Sequence, residues 1–206
     1  MQLEERSEGI SAQITECGPL AEAAAPTGQV LKPSVSVLKE VKGWARDILF
    51  AAVTAILIVV FMVQPVKVEG TSMQPNLVDQ ERVFVNKFVY HFAGVHRGDI
   101  VVFWYPRDLS KSFIKRIIGI PGDRIEINRG RVSRNGEPVR EAYVLPQYFD
   151  YGSYRAVVVP PGYYYVLGDH RNSSNDSRNW GLVPERNIFG KAIFRYWPVS
   201  RLGTLD

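Results

Sequence analysis

An uncharged apolar run over residues 48–63 constrains this chain more than any other feature. The run reads ILFAAVTAILIVVFMV and has no polar face, unlike the amphipathic helices that cover a globular domain. It is shorter than the roughly 20 residues that usually cross a bilayer, but its flanks extend it. A buried core helix is the alternative. We favour an uncleaved anchor within a helical segment at residues 37–64, since the run starts late and lacks a small-residue cleavage site.

The charges that flank the apolar run predict its orientation. Three basic residues precede it: Lys39, Lys42 and Arg46. Only Lys67 lies close on the other side. Cytoplasmic flanks of spans carry the excess of basic residues. We therefore expect a single-pass membrane protein, with residues 1–36 in the cytoplasm and residues 65–206 outside.

The first 36 residues have the composition of a flexible tail. They contain the run AEAAAPTG and no sustained apolar period, which is typical of segments that do not build a core. The single cysteine, Cys17, lies there, so the chain cannot form an internal disulfide. Because no Cys and His residues have metal-ligand spacing, we expect neither a metal nor another cofactor.

From residue 65 onward the pattern indicates strands. The β-rich stretches are residues 66–69, 83–87, 99–105, 112–118, 124–127, 156–159 and 163–167. Turn signals separate them, and Asn135-Gly136 is a strong hairpin signal. No helix of any length is evident after residue 64. The sequence therefore predicts an all-β domain of antiparallel strands at residues 65–206, following one N-terminal transmembrane helix.

Charge is unevenly distributed along the chain. Residues 1–47 hold five basic and seven acidic side chains, whereas residues 64–206 hold twenty basic and fourteen acidic ones. A basic domain beside a membrane is expected to attract anionic phospholipid headgroups. The arginines are scattered rather than arranged in a stripe, so we do not expect a nucleic-acid partner.

Ser72 is the first candidate for chemistry. It lies in the segment Gly70-Thr71-Ser72-Met73-Gln74-Pro75, a few residues beyond the apolar run. A loop serine is usually a solvated hydroxyl or a turn cap. Here glycine permits close backbone approach and proline stiffens the exit. The segment is not a G-x-S-x-G nucleophile elbow, so a nucleophilic Ser72 would need a different kind of base.

Lys115 is the candidate base. On a strand it shares a face with Phe113 and Ile117, because alternate residues point the same way. Apolar neighbours remove solvent from the ammonium group and lower its pKa. A neutral lysine can accept a proton from a serine. The alternative is a lysine that extends its amine to solvent from a half-buried strand.

A polar segment at residues 168–181 follows a very apolar strand. It could be an exposed loop rich in turns. Asp176 and Arg178 could instead form an ion pair, and Ser174 could form a hydrogen bond with a buried amine. The segment is therefore a third candidate component of a site.

Together these segments resemble the type I signal peptidases, the bacterial leader peptidases. Four segments carry the resemblance in order: GTSMQP from Gly70, RGDIVVF from Arg97, KRIIGIPGD from Lys115 and GDHRNSSNDSR from Gly168. The resemblance covers about residues 40–195. It implies a membrane-bound serine endopeptidase that removes signal peptides from exported preproteins, with possible transient contact with the secretion translocase.

The resemblance also implies roles for individual residues. Ser72 would be the nucleophile, with its backbone N–H as part of the oxyanion hole, and Lys115 the general base. Ser174 would orient the lysine amine, while Asp176 and Arg178 would brace the loop. Small substrate residues at −1 and −3 would enter a shallow apolar pocket. Its expected walls are Val66, Val68, Met73, Leu77 and Ile114.

Two departures from the family pattern leave alternatives open. Gly70 stands where some members carry a hydroxyl donor for the oxyanion. His170 stands where the last segment usually has asparagine, and it permits an alternative triad of Ser72, His170 and Asp176. Two other functions are a Ser–Lys peptidase dedicated to one substrate and a membrane-tethered β domain that only binds partners.

Overall fold

The computed structural model describes residues 35–205. Residues 1–34, most of the predicted tail, lie outside the described residues, as does Cys17. The chain divides into two units, Met1–Asp47 and Ile48–Asp206. In the described part the α-helices are α1 Val35–Met62, α2 Val89–Phe92 and α3 Ser177–Trp180.

Helix α1 covers most of the segment predicted to be helical at residues 37–64. Apolar side chains along it are exposed, among them Ile48, Leu49, Phe50 and Phe61. Within residues 35–205, no helix has both the length and the apolarity that crossing a membrane requires.

Twelve strands follow in the described residues. They are β1 Val63–Lys67, β2 Arg82–Asn86, β3 Ile100–Tyr105, β4 Asp108–Gly119, β5 Arg124–Asn128, β6 Arg131–Arg134, β7 Glu137–Pro138, β8 Tyr154–Val158, β9 Tyr163–Leu167, β10 Val183–Pro184, β11 Ile188–Trp197 and β12 Gly203–Thr204. Their bounds agree with most of the stretches predicted from alternation and turn residues.

The strands form two antiparallel sheets. The large sheet has the order β1-β2-β11-β3-β4-β9-β10, with β12 added to β11, and the small sheet has the order β7-β6-β5-β8. Every strand pair described is antiparallel. The predicted class, a mostly β domain of antiparallel strands, is confirmed. Strand β1 lies at an edge of the large sheet, with one side unpaired in this sheet.

Turn chemistry sets the small sheet. Asn135 and Gly136 both have positive φ, 54° and 88°, as the two-residue hairpin between β6 and β7 requires. Arg129 and Gly130 repeat the pattern between β5 and β6, with φ of 47° and 76°. The hairpin predicted at Asn135-Gly136 is therefore found, and the turn signal at Asn128-Arg129-Gly130 also marks a turn between strands.

The short helices α2 and α3 correct the expectation that no helix follows residue 64. Each has four residues, about one turn, which is too short to produce a 3.6-residue period in the sequence. Asp176 caps α3 by accepting a hydrogen bond from the Arg178 backbone N–H, a typical N-cap contact.

Three apolar cores stabilise the two sheets. The first joins Val68, Met73 and Leu77 to residues of β2, β3 and β11. The second lies around Phe103 and Ile117 of the large sheet. The third packs the small sheet. The first core lies directly under the Ser72 loop, and it is the one that fixes the position of the candidate nucleophile.

Candidate active site

Ser72 lies in the loop between β1 and β2, and the loop is anchored on both sides of the serine. Gly70 has φ of 96°, a conformation that suits glycine, and its N–H donates to the Asp79 carboxylate at 2.8 Å. After the serine, Met73 and Leu77 are fully buried, and the Leu77 N–H donates to the Met73 carbonyl at 2.9 Å. The Gly70 hydrogen bond before the serine and the buried turn after it together fix the position of the half-buried Ser72.

Lys115 of β4 reaches this loop across 43 residues of sequence. Its Nζ donates to Ser72 Oγ at 2.6 Å and to the Ile114 carbonyl at 3.0 Å. The amine also lies 5.5 Å from the centre of the Phe113 ring, the neighbour on its own face of the strand. The predicted pair of Ser72 and Lys115 is therefore in direct contact.

The environment of Lys115 favours its neutral form. The side chain is only 4% exposed, and desolvation lowers its pKa from 10.5 to about 8. The carboxylates of Asp176 and Asp169 act in the opposite direction, while Arg178 adds to the lowering. Because burial dominates, about a tenth of the amine is uncharged at pH 7, and the fraction rises with pH.

The loop at residues 168–178 closes over the dyad. A methyl group on Gly168 would overlap the Ser174 hydroxyl and the Ser72 carbonyl oxygen, so only glycine allows this approach. The Gly168 N–H donates to Asp176 Oδ2 at 3.0 Å. The third predicted segment is thus packed against the nucleophile loop.

Asp176 and Arg178 form the expected ion pair. Two hydrogen bonds of 2.8 Å join the Arg178 guanidinium to the carboxylate. Arg178 also contacts Asp150 at 2.7 Å and donates to the Arg171 carbonyl at 2.8 Å. These contacts stiffen the loop that carries Ser174.

Ser174 has a different environment from the one we expected. Its Oγ is buried and has no hydrogen-bond partner within residues 35–205. The contacts of the Lys115 amine are with Ser72 and the Ile114 carbonyl instead. The structure brings Ser174 to the site but not into the predicted hydrogen bond with the lysine.

The alternative triad receives no support from the geometry. The His170 ring bonds through Nδ1 to the Thr71 carbonyl at 3.0 Å rather than to the serine hydroxyl. Asp176 bonds to Gly168 and Arg178. In a Ser–His–Asp triad the histidine ring contacts both the serine hydroxyl and the aspartate carboxylate. His170 and Asp176 make other contacts instead.

A cavity of about 290 Å³ adjoins the dyad. Three of the five predicted pocket residues line it, namely Val66, Val68 and Ile114, together with Ser72 and Lys115. Further lining residues that the sequence analysis missed are Lys67, Glu69, Val102, Ser112, Phe113 and Asn175. A larger depression of about 860 Å³ lies against the small sheet, and neither Ser72 nor Lys115 lines it.

Met73 and Leu77 occupy the core below the cavity instead of its lining. They are 1% and 0% exposed and pack with Val68 in the first core. The turn between them points both side chains inward. They are positioned to support the cavity from beneath rather than to contact what enters it.

Several supporting contacts had no sequence signal. Glu141 forms a paired contact with Arg171 at 2.8 and 2.6 Å. Asp169 accepts two hydrogen bonds of 3.0 Å from Arg116 and one of 2.8 Å from Asn76. The partners are far apart in sequence, so only the tertiary fold reveals them.

Comparisons with known proteins identify the family of this chain. Residues 41–197 match the family described as signal peptidase, peptidase S26. A probable signal peptidase I-1 of Synechocystis is 43% identical over 167 residues, covering 77% of this chain and 83% of the relative. Signal peptidase I P of Bacillus subtilis subsp. natto is 36% identical, covering 84% of this chain and 96% of the relative.

A solved structure also matches part of the chain. The crystal structure of a signal peptidase I from Enterococcus faecalis V583 is 30% identical, with a TM-score of 0.43, covering 48% of this chain and 97% of that one. On the family match and the curated relatives, the chain belongs to the signal peptidase family, peptidase S26, and is a serine peptidase.

Proposed function

We propose that this protein is a membrane-bound endopeptidase that removes N-terminal signal peptides from exported preproteins, with Ser72 as nucleophile and Lys115 as general base. The observation that carries the proposal is the 2.6 Å contact between the Ser72 hydroxyl and a lysine amine that is almost completely buried. The family match supports the substrate class.

The dyad can perform both halves of a peptide hydrolysis. The neutral Lys115 amine accepts the Ser72 proton as Oγ attacks the carbonyl carbon at the cleavage site. The resulting oxyanion receives a hydrogen bond from the Ser72 backbone N–H. The lysine ammonium then protonates the leaving amine of the mature protein. Water, activated by the neutral lysine, hydrolyses the ester and releases the signal peptide.

Three residues of the closing loop would support the base. Asp176 and Arg178 hold the loop through their ion pair. Ser174 keeps an unpaired buried hydroxyl beside Gly168. A buried hydroxyl without a partner is costly, and we propose that it forms a hydrogen bond with the lysine amine once Ser72 is acylated and no longer available.

The cavity supports the proposed specificity for small residues at −1 and −3. Val66, Val68 and Ile114 narrow a space of about 290 Å³ beside the dyad. Because β1 is an edge strand, an extended peptide can pair with it and direct alternate side chains into the same cavity. Steric exclusion should then reject bulky residues at these two positions and ignore the −2 side chain.

Membrane attachment is part of the proposal. Helix α1 exposes apolar side chains along residues 48–57, and Trp44 is 73% exposed. The basic residues before the run favour a cytoplasmic N-terminus. We therefore propose a cytoplasmic tail at residues 1–36, an anchor at 37–64 and a peptidase domain at 65–206 outside a bacterial inner membrane, where it meets phospholipid headgroups and, transiently, the translocase.

A cleavage assay tests the proposal. The full chain in phospholipid vesicles is given a precursor with alanine at −1 and −3, and a second precursor with phenylalanine at −1. We expect cleavage of the first only, with a rate difference above the roughly 10–200-fold that a single methylene supplies. Equal cleavage of both, or of neither, would reject the proposed substrate class.

A further inference from the structure

We propose that His170 is a positioning residue that fixes the Thr71–Ser72 peptide group, so that the Ser72 N–H is held in place for the oxyanion. The inference rests on the proposed function, because it assigns the Ser72 N–H to that role. Its own basis is the contact of one histidine with two consecutive carbonyl groups of the nucleophile loop.

His170 holds both carbonyl groups next to the nucleophile. Its backbone N–H donates to the Ser72 carbonyl at 3.1 Å. Its ring Nδ1 lies 3.0 Å from the Thr71 carbonyl oxygen. A carbonyl oxygen only accepts, so Nδ1 must carry the proton in this contact. In this contact the histidine therefore acts as a donor.

The Thr71 carbonyl is the opposite end of the peptide group that carries the Ser72 N–H. In a planar trans peptide the C=O and N–H bonds point in opposite directions. Thr71 O accepts from both the His170 ring and the Gln74 N–H, the latter at 3.1 Å. With both lone pairs occupied, the peptide plane cannot rotate without losing a hydrogen bond.

The Ser72 N–H itself is without a partner in the described part of the chain. A backbone donor left free beside a nucleophile is the geometry that an oxyanion hole needs. Because Gly70 offers no side-chain donor, the orientation of this N–H carries more of the stabilisation. Hydrogen bonds to the carbonyl also polarise the N–H of the same group.

The ring of His170 is held in turn by Tyr148. Their ring centroids lie 4.3 Å apart in an edge-on arrangement. Tyr148 belongs to the segment that also supplies Glu141 and Asp150 to the arginines of the closing loop. The histidine ring is therefore held by Tyr148 as well as by the Thr71 carbonyl.

The test compares substitutions that differ in the donor. Asparagine places its amide nitrogen at the same number of bonds from Cα as Nδ1, so His170→Asn should keep the contact. Leucine has nearly the same shape as asparagine and no donor. Phenylalanine keeps a ring against Tyr148 but cannot donate to Thr71. His96→Phe, at an exposed histidine, is the matched control.

We expect His170→Leu and His170→Phe to lower kcat about tenfold with KM unchanged, less than the roughly 100- to 1,000-fold for loss of an oxyanion donor itself. His170→Asn should stay within about threefold of wild type because it retains the hydrogen bond. His96→Phe should match wild type. Activity should depend on pH in the same way in every variant, because the pKa of Lys115 sets that dependence and His170 is not the base.

Two substrates separate this inference from the proposed function. A preprotein tests recognition, whereas a p-nitrophenyl ester of N-acetylalanine tests only formation of the oxyanion, and both should lose the same factor. Failure of the wild type on preproteins but not on the ester would reject the proposed function and leave the His170 comparison intact. Any of three results would overturn the inference. They are an unchanged kcat in His170→Leu and His170→Phe, an equal loss of kcat in His170→Asn, and a rise in KM without a fall in kcat.

Discussion

Strand β4 carries a buried basic side chain on each of its two faces, and the two side chains have different partners. Lys115 and Arg116 are neighbours, and they are 4% and 2% exposed. Arg116 meets Asp169 in a paired ion contact with two hydrogen bonds of 3.0 Å. Lys115 meets a serine hydroxyl and a backbone carbonyl, with no carboxylate in contact among residues 35–205. Arg116 is therefore paired with a carboxylate, whereas burial lowers the pKa of Lys115.

The comparison shows what controls the reactivity of a buried lysine. Desolvation is the largest cause that lowers the pKa of Lys115, and a carboxylate in direct contact would oppose it. Asp176 and Asp169 do raise the pKa of Lys115, but burial outweighs them. Each carboxylate is instead bonded to an arginine, Arg178 and Arg116 respectively. The arginines therefore bind these two acids, and neither forms an ion pair with the Lys115 amine within residues 35–205.

The largest effect should follow from removing the neutral base. Lys115→Ala and Lys115→Arg should each lower kcat/KM by at least about 10⁴-fold, since guanidinium cannot act as a base and the dyad works as a unit. Cleavage of a precursor measures the loss. Adding Ser72→Ala should cause little further change. Lys111→Arg, on the exposed part of the same strand, is the control, and an active Lys115→Arg would contradict the role of the lysine.

Breaking the structural pair should be the next largest effect. Arg116→Ala leaves Asp169 buried without its main partner, and we expect a loss of about 3–5 kcal/mol in the free energy of unfolding. Denaturant titration of the folded chain measures it. Arg124→Ala removes a distant, exposed contact and should change stability by less than about 1 kcal/mol. If Arg116→Ala were as stable as wild type, the Arg116–Asp169 ion pair would not stabilise the fold, and the contrast with Lys115 would fail.

Replacing Lys115 by methionine should have the opposite sign. The folded pKa of about 8 lies below the ordinary 10.5, so folding is penalised below about pH 8, where both states hold the proton. Lys115→Met should remove a penalty of about 3 kcal/mol at pH 7. Between those two pKa values the unfolded wild type binds more protons, so wild-type stability rises with pH and the gap narrows. A less stable Lys115→Met at pH 7 would refute the desolvation argument.

The smallest effect is the pH dependence of the intact dyad. Activity should rise about tenfold per pH unit below the Lys115 pKa of about 8 and level off above it, because only the neutral amine accepts the proton. Initial rates on a precursor measure this limb. Asp176→Asn should move the limb to lower pH, since the Asp176 carboxylate raises the pKa of Lys115. A flat profile between pH 6 and pH 9 would exclude lysine as the base.

Much of the fold was predictable because its signals are local. Alternation gave the strands around Lys115 and Val101, and Asn135-Gly136 gave a hairpin. The one-turn helices were missed because four residues carry no period. Strand order, with β11 between β2 and β3, depends on pairing between residues more than 80 positions apart, and no local pattern encodes it.

The candidate site was predictable where a short segment carried the chemistry. Ser72 and Lys115 were identified in separate segments, and the structure brings them into contact. The family resemblance places Met73 and Leu77 in the pocket wall, but the turn between them directs both into the core. Asp150 was missed because only the fold brings it to Arg178.

Helix α1 continues directly into β1, and this limits the length of chain between the helix and the candidate site. The helix ends at Met62 and the strand begins at Val63 with no linker between them, and the Met62 carbonyl already accepts a hydrogen bond from Lys87. Val68 lies six residues further, or about 20 Å of extended chain. On the proposed topology, at most about 20 Å of chain therefore separates Val68 from the end of the helix. A precursor would then be recognised by length as well as by side chains. The distance between the end of its own apolar segment and a small residue would select which small residue is cut.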